Sequence, residues 1–101
     1  MAAVLIYRAK YMYPDGAIRE MVLWELPGKL LKSKHRLKYR LYYGTADGVC
    51  LVRYDNEHGK GDHRHIGDRE EKYQFRDVET LLSDFMTDID KNRGGYNEKT
   101  D

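Results

Sequence analysis

Cysteine and tryptophan each occur once in this chain of 101 residues, and phenylalanine and proline twice each. A lone Cys50 cannot close an internal disulfide, so the fold must rest on its core, and the chain suits a reducing compartment. Cys50 lies in an apolar run, where a buried thiol is expected. Both prolines stand at turn positions, Pro14-Asp15-Gly16 and Pro27-Gly28. The N-terminal apolar run, residues 2–7, is broken by Arg8, with Lys10 soon after. It is too short for a signal-peptide core or a bilayer span, and a soluble, cytoplasmic protein without a membrane role is expected. Strong net charge is also missing: 35% of residues are charged, yet they balance to +1. No global field draws the chain to nucleic acid, so any such attraction must come from local clustering. The length fits one domain of modest core, expected over residues 1–92, with residues 93–101 a disordered polar tail.

Tyrosine is abundant, with nine copies, and it suits half-buried sheet positions as well as stacking on bases. Alternation of apolar and polar residues predicts strands over 4–13 and 17–26, joined by the Pro14-Asp15-Gly16 turn. Trp24 is expected in the core. A basic connector, residues 29–35, leads into a strand over 36–43, with Leu37, Tyr39, Leu41 and Tyr43 on the core side. Arg36, Lys38 and Arg40 form a row on the other side. Thr45-Ala46-Asp47-Gly48 reads as a hairpin loop, and residues 49–54, apolar on both parities apart from Arg53, as a central strand. Residues 68–72 read as a charged link and 73–75 as a short strand. Asp77 is an expected N-cap for a helix whose Val78, Leu81, Leu82, Phe85, Met86 and Ile89 share one face, stopped by Gly94-Gly95. The class expected is α+β: an antiparallel sheet of about four to six strands, mostly a meander, with the C-terminal helix packed on one face against Trp24, Leu37, Tyr39 and Leu41.

One stretch does little for such a core. Residues 54–65 carry three of the four histidines, two glycines, both signs of charge and no apolar residue between Asn56 and His65. Three chemistries compete there with a solvated, self-bonded loop. His63 and His65 could act as general acid and base on an RNA phosphodiester, with Lys60 and Arg64 stabilising phosphoryl charge and Asp62 supporting them. His58, His63 and His65 with Asp55 or Asp62 could hold a divalent metal, although the spacing matches no well-known zinc pattern, and no cofactor is expected outright. Gly59-Lys60-Gly61 could cradle phosphate through backbone N–H groups without chemistry. The Arg36, Lys38 and Arg40 row, with Gly59 and Gly61, is the candidate nucleic-acid contact, against the plain reading of a solvated sheet face. His35, between two cations, reads as a surface residue.

The strings Asp15-Gly16-Ala17-Ile18, His35-Arg36-Leu37-Lys38-Tyr39-Arg40-Leu41, Tyr54-Asp55-Asn56 and Gly59-Lys60-Gly61-Asp62-His63-Arg64-His65 carry a resemblance. So do the Trp24-to-Pro27 strand end and Tyr73-x-Phe75 ahead of Leu81-Leu82-x-x-Phe85. Over about residues 4–90 the chain resembles the TumE family, toxins of toxin–antitoxin pairs. The resemblance implies a toxin role and an antitoxin partner with a helix-turn-helix domain. RNA as substrate follows by analogy with small toxins of this kind. The rival expectation is a non-catalytic module that binds nucleic acid or protein, and an edge strand offers a route to a homodimer.

Overall fold

The computed structural model describes residues 3–28, 35–56 and 61–94. Among these residues six strands, β1 (Val4–Met12), β2 (Ile18–Glu25), β3 (Leu37–Gly44), β4 (Cys50–Asp55), β5 (His63–Ile66) and β6 (Arg69–Lys72), pair in chain order as an antiparallel meander, and one helix, α1 (Val78–Arg93), follows them. Each tight connection has its local cause. The β1–β2 turn is held by Tyr13 and Ala17 backbone bonding and by the Asp15 carboxylate, which accepts from Ala17 N at 3.0 Å. Gly67-Asp68 forms a two-residue loop between β5 and β6, with Gly67 at φ 63°, a left-handed value that favours glycine.

Register settles which parity is core. Leu41 pairs with Met21 on one side and Tyr54 on the other, and Tyr39 pairs with Leu23. Met21, Leu23, Tyr39, Leu41, Tyr43, Val52 and Tyr54 are all buried beneath Leu81, Phe85 and Ile89 of α1. The helix rests chiefly on β4. Its N-cap is Asp77, which accepts from Thr80 N at 2.7 Å, and Gly94 ends it at φ 71°.

Several expectations are corrected. Trp24 lies half-buried on the face away from α1, opposite Leu5 and Lys38, because β2 is apolar on both parities and the charged parity of β3 decides its orientation. The sixth strand is Arg69–Lys72, not residues 73–75, since the Gly67-Asp68 turn sends the charged segment back along β5. Tyr73 follows as an extended link whose N–H donates to Asp62 O. Cys50 is half-buried rather than buried. The connector 29–34 and the tail from residue 95 lie outside the described residues.

A pleated sheet sends alternate side chains to opposite faces, and here the two faces differ in kind. One is capped by α1. The other carries no helix among the described residues, and it gathers the polar chemistry.

Candidate active site on the open sheet face

Two cross-strand rows run side by side over this face. One consists of Arg40, Asp55, His63 and Lys72; the next consists of Tyr42, Arg53, His65 and Glu70. Directly opposed residues in an antiparallel sheet lie within side-chain reach, so four strands bring together groups spread over residues 40–72. His63 and His65, two apart on β5, share this face with their rings 5.3 Å apart.

The two imidazoles share the Glu70 carboxylate at 3.5 Å but differ in their nearest partners. His63 is buried and faces acceptors at both nitrogens. Its Nδ1 lies 3.1 Å from Gly61 O, and its Nε2 lies 3.0 Å from Asp55 Oδ1 and 3.5 Å from Glu70 Oε2. A hydrogen bond forms at each of the two nitrogens only when both carry protons. Gly61, at φ 79°, turns the chain so that its carbonyl can meet the ring two residues on.

His65 is partly exposed, and its nearest partner, closer than Glu70 Oε2 at 3.5 Å, is a donor. The Arg53 guanidinium, which can only donate, lies 2.8 Å from His65 Nε2, so that nitrogen accepts and the ring is neutral. Burial first, and the Arg53 charge second, hold the His65 pKa below the usual histidine value. Arg53 is itself placed by Asp55. Its Nε sits 3.0 Å from Asp55 Oδ2, an ion-pair distance without the alignment of a formed hydrogen bond. Arg40 lies over the Tyr42 ring at 5.6 Å, which leaves the face with cations flanking a histidine–carboxylate centre.

The motif Asp62-His63-Arg64-His65 is thus divided by the pleat. Arg64 points under α1, where it donates to Glu71 Oε2 at 2.6 Å, Tyr54 Oη at 3.0 Å and Asp88 Oδ2 at 3.1 Å. Tyr54 Oη also donates to Asp88. Burial opposes the Arg64 charge, but its bonds to Tyr54 and Glu71 prevail and raise its pKa further. Asp62 likewise turns to the helix side and accepts from Tyr39 Oη at 2.8 Å and from His35 Nε2 at 2.8 Å. His35, expected at the surface, is half-buried there, with its ring 4.0 Å from that of Phe75 and its Nδ1 accepting from Leu37 N. Burial, followed by the Asp62 charge, pushes the Tyr39 phenol far above its ordinary range.

In the basic row, Lys38 and Arg40 stand on the open face, while Arg36 precedes β3 and pairs with Glu25 at 3.4 Å. His58, Gly59 and Lys60 lie outside the described residues. Sequence reasoning passed over Arg53 and Glu70. Arg53 was nevertheless signalled as the one charge in the otherwise apolar run of residues 49–54. Glu70 could have been found only by pairing β6 with β5.

The ligand atoms of His63, His65 and Glu70 lie within 4.8 Å of one another, and Asp55 adjoins them. This is a donor set a divalent ion could use. The His65 lone pair it would need, however, is already directed at the Arg53 guanidinium, and a second positive charge there would be repelled.

A family model described as Toxin TumE matches residues 3–93. The chain belongs to the TumE toxin family. Membership makes this protein a toxin of a toxin–antitoxin system by family, and it implies an antitoxin partner. No curated protein and no solved structure matches the chain. No helix among the described residues of this TumE-family protein is long and apolar enough to cross a membrane.

Proposed function

We propose that this TumE-family toxin is a ribonuclease and that the open sheet face is where RNA is bound and cut. The observation that carries the reading is the opposite bonding of His63 and His65. One ring is set to give a proton and the other to take one, the arrangement that divides acid from base within a single site.

RNA phosphate enters against Arg40 and Arg53, whose guanidinium groups match phosphoryl oxygens and stabilise the charge that builds on them. Drawn toward phosphate, Arg53 releases the His65 lone pair. His65 accepts the 2′-hydroxyl proton, the 2′-oxygen bonds to phosphorus, and the bond to the 5′-oxygen breaks as that oxygen takes the proton of His63. The strand is left with a 2′,3′-cyclic phosphate and a free 5′-hydroxyl. The extra proton has moved from His63 to His65, and it returns when water opens the cyclic ester. Asp55 supports both halves, facing His63 with one carboxylate oxygen and Arg53 with the other. Arg64 and Asp62 are structural supports in this reading, and Lys38 extends the phosphate track.

The test is incubation of the purified chain with single-stranded RNA in excess chelator, followed by analysis of product ends. Cyclic phosphate termini that vanish in His65→Ala support the proposal. Cleavage that requires added metal, or no cleavage by the folded protein, overturns it. The burial of His63 favours a second reading, RNA held without cleavage. In that case Arg53→Ala would weaken binding while no variant altered product ends.

A further inference from the structure

The two edges of the sheet differ as sharply as its faces. β6 is four residues long and wholly charged, Arg69-Glu70-Glu71-Lys72, a composition that blunts further strand pairing. β1 is nine residues long, and it holds six of the seven large apolar side chains that stand most exposed among the described residues. Val4 is 59%, Leu5 43%, Ile6 46%, Tyr7 41%, Tyr11 45% and Met12 63% exposed. The helix does not shield it, since α1 rests on β4. The register of β1 is irregular between Leu5 and Tyr7, and beyond that break residues 7–12 form a regular edge with one row of backbone groups unpaired among the described residues, a template for an added strand.

We propose that β1 is the docking edge for the antitoxin, which adds an extended segment of alternating acidic and apolar residues beside it. This rests on family membership and not on the ribonuclease reading. Charge chooses the occupant. β1 contains Arg8 and Lys10 and no acid, and the one acid near them, Glu20 of β2 at 3.7 Å from Lys10, forms an exposed pair that leaves Arg8 uncompensated by it. A second copy pairing antiparallel over the full strand would set Arg8 against its own counterpart with Lys10 two positions away, and like charges so opposed are unfavourable. A segment with Glu or Asp opposite Arg8 and Lys10 removes that conflict, while its apolar residues, on the other parity, cover Tyr7 and Tyr11. β1 and the histidine rows lie at different parts of the sheet, so an antitoxin seated here would still need a second segment, or bulk, to obstruct RNA.

The experiment is hydrogen exchange on the full chain, alone and with the product of the adjacent toxin–antitoxin reading frame, together with Arg8→Glu/Lys10→Glu. Binding should slow exchange of β1 amides. The double variant, with native exchange elsewhere in the free protein, should bind about 10–100-fold more weakly. A complex that leaves β1 exchange unchanged overturns the proposal, as does failure of the wild-type chain to bind that product. A toxin dimer in solution whose formation protects β1 also overturns it, in favour of a second copy. RNA cleavage is not a readout here, so loss of the ribonuclease reading would leave this result standing.

Discussion

His63 and Arg64 are neighbours in the chain, yet they serve different halves of the molecule. His63 reaches the open face, where Asp55 and Glu70 hold it beside His65. Arg64 reaches the covered face, where Glu71, Asp88 and Tyr54 use its guanidinium to tie β4, β5 and β6 to α1. On the proposed function, one motif is built for reaction on one parity and for stability on the other. A cation next to two histidines need not share their chemistry. Substitutions on the two parities should therefore fail differently.

The largest effect is expected on the open face. His65→Ala and His63→Ala should each lower RNA cleavage by about 10²–10⁴, and the double variant should lose much less than the product of the two. Thermal unfolding of His65→Ala should stay near wild type, because that ring is partly exposed. Rate constants and melting curves on the same preparations check both halves. Equal losses in rate and stability for His65→Ala would erase the distinction between faces.

Arg64→Ala should show the reverse. It leaves the buried Asp88 carboxylate and Tyr54 hydroxyl without their cation, which costs about 2–4 kcal/mol of stability. Single-turnover cleavage by the folded fraction should remain within about tenfold of wild type on the same reading of roles. Denaturant unfolding gives the first quantity. A catalytic loss of about 10³ in fully folded Arg64→Lys would return this residue to the reaction.

How much of this division could be read from the sequence depends on where it alternates strictly. In β3 the pattern Leu37-Lys38-Tyr39-Arg40-Leu41 admits one orientation, and it placed both the core and the basic row. The i, i+3, i+4 apolar spacing with Asp77 ahead of it likewise revealed α1. In β2 both parities are apolar, and Trp24 drew the expectation to the wrong side, although pairing with β3 decides the matter. The histidine pair was visible because two positions along a strand share a face. The same rule would have sent Arg64 away from it, had it been applied to the residue between. Arg53 and Glu70 belong to the site through pairing across β4, β5 and β6, and such long-range register has no local signature.

Arg53 provides a finer test of the open face. It helps hold the His65 pKa below its ordinary value, second to burial, so Arg53→Gln should raise that pKa and move the acid limb of the cleavage profile to higher pH. The maximal rate should also fall by about 10–10³ through lost phosphoryl stabilisation. A rate loss without movement of the limb would separate Arg53 from the titration of His65. On the same face, replacing Lys38 and Arg40 by Ser should reduce the salt slope of RNA binding by about one for each phosphate contact removed.

The smallest expected effect concerns stability alone. A histidine whose folded pKa lies below its unfolded value of about 6.5 binds protons more readily when the chain is unfolded. Its contribution to stability is therefore complete above that value. It is lost as pH falls from there through the lower folded pKa, because the unfolded state gains the proton first. His65→Gln keeps an acceptor for Arg53 and cannot titrate in this range. Denaturant unfolding of both proteins in steps from pH 7.5 to 5 should therefore show the wild type losing stability relative to the variant as acid is added, and the difference between the two curves isolates His65 from His63 and His35. The opposite slope, with wild type gaining on the variant toward pH 5, would mean that Glu70, 3.5 Å away, outweighs burial and Arg53 and keeps the proton on His65. The base assigned to the open face would then be an acid, and the division of roles between the two imidazoles would have to be reversed.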